Sequence, residues 1–401
     1  MEQHWCGLDW ADRSHAVCVI DEGGGIRAQF EIDNTAKTFS GLIKRLVKLG
    51  VGGVAIERPD GPLVESLMEA GLTVYVVPPA MLKAVRSRYG ASGAKSDPGD
   101  AFCLADLLRT DHHRLKPLVP DLPATKGLRA VTRTRKDLVD ARTALTNQLL
   151  AQLQLCFLGA IGLFKDLHSP VALAFLGRYP TSARAARLTE AKLGAFLKRV
   201  HYPGGTPVSE LVRRIREAPV PGLQAEEDLA RAACVLALVE AIASCVRQVK
   251  ELERGVVQRL GAHPDAGIFS TLPRAGHGVR AASLLAEIGD VRERFPDPES
   301  LMALAGASPV TRASGKHRSV GFRWACDKKL RGAVVDFADD SRHASPWAAD
   351  VYKRAIDRGC SHSHAVRILA RAWLRVIWRC WQDRTPYDVT KHRGAVMLLA
   401  A

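Results

Sequence analysis

Four carboxylates stand out by where they sit. Asp9 interrupts the apolar run WCGLDW, Glu57 closes the run GVAIE, and Asp97 and Asp100 lie three residues apart in KSDPGDA. At the start of a helix that step puts both side chains on one face. A carboxylate in or at the end of an apolar strand is costly to bury unless something positive meets it. Several together can ligate a hard divalent cation through oxygen, and two such ions about 4 Å apart can hold the attacking and leaving oxygens of a phosphoryl displacement. Each acid alone reads as a strand-end or capping residue, and Asp97 before Pro98 is a good helix start. As a set they point to a metal site.

A hydroxyl is the second candidate. Ser314 precedes Gly315 in GASPVTRASGKHRSVGFR, among Arg312, Lys316, His317, Arg318 and Arg323. A serine needs a base or metal to become a nucleophile, and nearby cations stabilise charge gathering on an attacked phosphate. Taken alone, such a serine is far more often a turn residue in a basic loop. Ser308 and Ser319 lie outside the tight Ser-Gly-Lys turn and are poorer candidates. Upstream, Gly276-His277-Gly278 precedes an apolar helix with Ala281, Leu284, Leu285 and Ile288. This turn and helix resemble the second half of a helix-hairpin-helix, in which amides at Gly276 and Gly278 would meet a phosphate. Near the C-terminus Arg367, Arg371, Arg375 and Arg379 form an i, i+4 row opposite Leu369, Trp373 and Ile377. Such a row is a solvated face or a phosphate contact.

These residues must be positioned by regular elements. WCGLDW, AVCVI and IRAQFEI read as three strands joined by tight turns, a meander. A helix with Phe39, Leu42, Ile43, Leu46 and Leu49 follows, then a strand GVAIE, a helix over 62–70 and a strand LTVYVV. Strands separated by helices imply parallel neighbours, so the expectation is an α/β domain with a mixed sheet. From Pro123 strand signals vanish. Leu128, Val131, Leu138, Leu145, Leu149 and Leu153 suit a long helix to about residue 158. Leu229, Leu236, Val239, Val246, Val249, Leu252, Val256 and Leu260 suit a second over 225–261. Their spacing predicts a coiled-coil pair, packed within one chain or serving as a dimerisation arm.

At 401 residues the chain exceeds one compact core, and 47% apolar with 25% charged residues excludes a disordered or collagenous protein. The net charge of +15 is uneven: residues 1–80 carry 7 basic against 11 acidic side chains, and residues 301–401 carry 18 against 8. A basic body behind an acidic head fits a polyanionic partner. Nine scattered cysteines without a C-x-x-C pair argue against a disulfide framework and a structural zinc site. No signal-peptide pattern and no uninterrupted apolar run of about 18 residues occur, so the expectation is a soluble, cytoplasmic chain without a membrane partner.

LDWADRSH, AIE, KSDPGDA, LPRAGHGVRAASLLAEIGD and LAGASPVTRASGKHR, in that order, resemble the DEDD insertion-sequence transposases of the IS-one-ten type. The likeness covers about residues 4–110 and 265–385. It implies an RNase-H-like (RuvC-like) domain over 1–122, a helical coiled-coil and linker region over 123–262, and a mainly α C-terminal serine transposase domain over 263–401 with the helix-hairpin-helix-like element. It further implies Mg2+ held by Asp9, Glu57, Asp97 and Asp100, and Ser314 transiently joined to DNA. Arg312, Lys316, Arg318 and Arg323 would contact phosphates. A structured bridge RNA would pair with target and donor DNA, and the protein would work as dimers within a tetramer, its acids and Ser314 converging in a composite site. Ser96 stands where the family more often has Thr, and residues 164–222 match no motif. Two rivals remain at this point: a metal-dependent Holliday-junction-type endonuclease using only the four acids, and a non-catalytic nucleic-acid-binding protein.

Overall fold

The computed structural model describes residues 3–89, 95–275, 278–315 and 317–399. Two compact units meet in sequence between Pro120 and Asp121.

In the first unit, β1 (His4–Trp10), β2 (Ser14–Ile20) and β3 (Ile26–Asp33) form the expected antiparallel meander. Next come α1 (Ala36–Lys48), β4 (Val51–Ile56), α2 (Pro62–Glu69), β5 (Val74–Val76), α3 (Pro79–Arg86) and α4 (Asp97–Asp111). Thr35 and Thr38 close a capping box at the start of α1, so the chain leaves the meander at a defined angle. β4 pairs parallel to β1 and β5 parallel to β4, giving the sheet order β3-β2-β1-β4-β5. β1 and β2 are buried on both faces, which is why they read as continuous apolar runs and not as alternation. Cys6, Leu8, Val17 and Ile56 pack with Leu42, Leu46, Leu63 and Leu67 on one face. Trp5, Cys18 and Ala55 pack with Leu82, Leu104 and Leu108 on the other.

Gly7 sets the depth of that second face. A Cβ at Gly7 would lie 1.9 Å from the Ala101 carbonyl oxygen and 2.4 Å from the Ala105 nitrogen. Helix α4 therefore rests directly on the backbone of β1, a contact only glycine permits.

The second unit is mainly helical. Its long helices are α5 (Pro123–Cys156) and, after α6 (Pro170–Arg178), α7 (Ser182–Ala185), α8 (Glu190–Arg199) and α9 (Val208–Glu217), α10 (Ala225–Gly261). They run antiparallel: Arg135 donates to Glu253 at 2.6 Å, Leu128 shares a core with Val256 and Leu260, and Leu149 and Leu153 share another with Val235, Val239 and Ile242. The pair thus closes within one chain. The predicted apolar stripe of α10 needs correction at its start, because Leu229 is 61% exposed and Leu236 is also exposed, while Val235 takes the core position. By length and composition α10 is apolar enough to cross a membrane, and its Val235, Val239 and Ile242 lie in a protein core. The motif-free segment 164–222 supplies helices α6 to α9, whose Leu173, Phe175, Phe196 and Leu211 fill that same core.

The rest of the unit comprises α11 (Ala266–Ser270), α12 (Val279–Ile288), α13 (Pro298–Leu304), a hairpin of β6 (Val310–Ser314) and β7 (His317–Gly321), α14 (Lys328–Ser341), α15 (Pro346–Asp357), α16 (His362–Gln382) and α17 (Arg393–Leu399). Trp373 and Trp381 of α16 are fully buried in its core, and the Trp373 indole donates to Ser341 Oγ at 2.8 Å. The expectation that strands end at Pro123 is corrected by the hairpin. Its β7 and four of the five residues of β6 are exposed, so no burial imposes an apolar period on them.

Candidate metal centre and serine hairpin

Parallel pairing of β1 and β4 brings their carboxyl ends to one edge of the sheet. Leu8 is in register with Ile56, so Asp9 and Glu57 are the next residue on each strand. Helix α4 delivers the other two acids. Ser96 caps it, accepting from the Gly99 amide at 3.2 Å, and Asp97 and Asp100 fall in its first turn, where the helix dipole favours negative charge. Because α4 is seated on Gly7, its start lies near Asp9. Gln29 of β3 ties that start down by donating to the Pro98 carbonyl at 3.0 Å.

The electrostatics follow from this placement. Asp9 is 9% exposed, and its carboxyl makes no hydrogen bond or ion pair with a described residue. Burial, and after it the charges of Asp100, Asp97 and Glu57, push its carboxyl up to about 6, with Lys95 working the other way. The four predicted acids therefore share one field. Asp100, 2% exposed, is gripped by Arg86 at the end of α3, with Nη2 2.7 Å from Oδ2 and Nε on Oδ1. Glu57 and Asp97 form no ion pair with a described residue. A further buried acid of α4, Asp106, is satisfied by Arg109 at 2.6 Å and by Tyr89, which marks it as a packing residue. Arg86 is the participant that sequence reasoning missed. Its only signal was a cation ending a helix ahead of two acids.

At the hairpin, Ser314 is the register partner of His317, and Gly315 takes a left-handed φ of 54° to make the turn. Ser314, Arg312 and Arg318 are exposed, and the Ser314 hydroxyl makes no hydrogen bond with a described residue. Arg323 is partly committed, since its Nε donates to the Ser308 carbonyl at 3.1 Å. Lys316 and Gly276 lie outside the described residues. Gly278 does not match the expected phosphate contact. It is buried, its amide donates to the Ala275 carbonyl at 3.0 Å, and a Cβ there would meet the Val257 side chain at 2.9 Å, so a left-handed φ of 84° and close packing on α10 explain the glycine.

Two family models match stretches of this chain. Residues 6–158 match the model of DEDD transposases of the IS110 type, described as transposase, and residues 266–353 match one described as transposase of the IS116/IS110/IS902 family. The mini-circle putative transposase for IS117 of Streptomyces coelicolor is 33% identical over 99% of this chain and 98% of its own. The chain belongs to the IS110 transposase family. An IS900 insertion-element protein of Mycobacterium paratuberculosis is 27% identical over 96% of each chain, and an IS110 insertion-element protein of S. coelicolor is 26% identical over 95% of each. As a member of the IS110 family this transposase is a phosphoryl-transfer enzyme that binds DNA, and its DEDD domain implies a divalent metal.

The residues present fit such a cation in chemistry. Asp9 is an all-oxygen donor in no ion pair with a described residue, raised by burial and then by three neighbouring acids, and a divalent cation is what would relieve both. Among the described residues no three acidic, His or Cys side chains are already drawn into one ligating group. Arg86 holds Asp100 bidentately, so part of that carboxylate's acceptor capacity is already taken.

Proposed function

We propose that this transposase excises and inserts its element by serine attack on phosphodiesters, with Mg2+ held by Asp9, Glu57, Asp97 and Asp100 in an RNase-H-like domain. The observation that carries the metal half is the Asp9 carboxyl, buried without an ion pair to a described residue and raised by that burial and, after it, by the charges of the other three acids. Ser314 supports the other half by its place at the tip of an exposed hairpin flanked by Arg312 and Arg318, where a DNA strand has free approach.

Bound Mg2+ would supply positive charge to the phosphoryl oxygens as negative charge gathers there. The Ser314 Oγ attacks phosphorus and gives up its proton, a serine–phosphate ester forms, and the bond to the leaving strand oxygen breaks as that oxygen takes up a proton. Attack by a hydroxyl of the incoming strand reverses these steps, so bond energy is conserved and no water is consumed. Arg312 and Arg318 orient the strand by its phosphates. Guidance by a structured bridge RNA, and assembly as dimers within a tetramer, are parts of the same proposal and rest on the family likeness.

Denaturing gels of the protein incubated with element-end DNA, Mg2+ and co-purified RNA test it. A covalent protein–DNA adduct that disappears, together with recombination, in Ser314→Ala is the expected result. Undiminished recombination in that variant refutes the serine step, and free cleaved ends with no adduct in the wild type favour a nuclease in which water attacks.

A further inference from the structure

At the base of the β6–β7 hairpin lies a cavity of about 340 Å³ that neither the four acids nor Ser314 use. Phe322 and Arg323 form one wall, and His364, Arg367 and Arg371 of α16 form another. No carboxylate of a described residue lines it. The arginine row of α16 is split by its surroundings. Arg375 pairs with Glu299 at 3.3 Å and Arg379 with Asp383 at 2.6 Å, whereas Arg367 and Arg371 pair with no described acid. Arg371 Nε is buried without a hydrogen-bond partner among the described residues. Arg367 instead lies over the Phe322 ring at 4.9 Å, and Arg331 lies over the same ring at 4.7 Å.

An unmet guanidinium donor with a second unpaired arginine beside it is costly unless an anion arrives. Against the wall residue Phe322 stands a further aromatic plate. Trp324 is 78% exposed and braced edge-on against Phe322, centroids 4.8 Å apart. A large exposed ring next to a cationic cavity is the arrangement that stacks an unpaired base while its phosphate is neutralised.

We propose that this cavity is a nucleotide subsite for an unpaired stretch of nucleic acid, its phosphodiester held by Arg367 and Arg371 and its base stacked on Trp324. The site goes beyond the serine reading and does not depend on it, because binding here requires no bond to break. The strand can come from displaced DNA or from RNA, which present the same phosphate and base faces.

The test is fluorescence anisotropy of the full-length protein with labelled single-stranded DNA, RNA of the same sequence and duplex DNA, over a salt series. For Arg367→Gln with Arg371→Gln, single-strand binding should weaken about tenfold or more, as loss of charge-assisted hydrogen bonds implies. The slope of log affinity against log salt should fall by about 0.7 for each phosphate the variant no longer neutralises. Arg371→Lys, which keeps the charge but loses the Nε donor, should keep the salt slope with only part of the affinity, and it controls for misfolding. Trp324→Ala should cost at least about fivefold with single strands and leave duplex binding unchanged. Whichever strand loses more names the occupant. Unchanged affinity and slope in the double variant overturn the subsite. So does an equal loss in Arg375→Gln with Arg379→Gln, which would mean the protein's general field and not a site. Ser314→Ala should bind as the wild type does, so failure of the serine chemistry leaves this measurement standing.

Discussion

Replacing Asp9 with asparagine keeps the side chain's shape and removes its charge. The Asp9 carboxyl is pushed from an ordinary 3.8 up to about 6, which corresponds to roughly 3 kcal/mol. Below about pH 3.8 the group is protonated in the folded and unfolded chain alike, and its stability contribution is fully present. As the pH rises through 6 the unfolded chain releases the proton more readily than the folded one, so that contribution is lost. Asparagine never ionises. The stability difference between variant and wild type should therefore be near zero at about pH 3.5 and grow to roughly 3 kcal/mol in favour of the variant above about pH 7. For a unit spanning Met1–Pro120 this corresponds to a Tm rise on the order of 10 °C. Calorimetry in a chelator from about pH 4 to 8 reads the difference directly. Added Mg2+ should then raise the wild-type Tm, closing the gap, and leave Asp9→Asn nearly unmoved. A variant no more stable than the wild type at pH 8, or a difference flat across the range, would refute the claim that four acids share one field.

Other perturbations probe how the site is built. Arg86→Gln leaves the buried Asp100 carboxylate without its cation, so in chelator the Tm should drop; Mg2+ should restore more of it than it adds to the wild type, and an identical metal response in both would show that Arg86 does not compete for Asp100. Gly7→Ala drives a methyl into the backbone of α4 and should cost about 3 kcal/mol or more in urea unfolding, whereas an unchanged midpoint would mean that the helix is not seated on β1. In the second unit, burial opposes the Asp121 charge, but the hydrogen bond from Arg129 and the charges of Arg294 and Arg129 outweigh it and hold the carboxyl below its usual range. Asp121→Ala should then destabilise that unit by about 3 kcal/mol near neutral pH. The penalty should shrink as the pH falls through the carboxyl's depressed value, as acid-dependent melting curves would reveal.

Much of this protein is legible in the order of its residues. The meander, the crossover helices and both long helices follow from apolar periodicity, and the four acids could be picked out only as a set, two of them interrupting or closing apolar runs and two sharing a helix start. Local signals carried those readings, since each depends on neighbours within a few positions. Three things were decided only in three dimensions. Whether Asp9 meets Glu57 depends on the parallel register of β1 and β4, strands more than forty positions apart, and on the glycine that lets α4 settle onto β1. Which acid carries a hydrogen-bonded counter-ion depends on where α3 ends, and that placed Arg86 on Asp100 and left the Asp9 carboxyl without an ion pair to a described residue. Which arginines of one row are free depends on acids from elsewhere in the fold, as Glu299 on Arg375 shows. Periodicity assigns a residue to a face, but long-range packing chooses what that face meets, and the charge state of a site is set by what it meets.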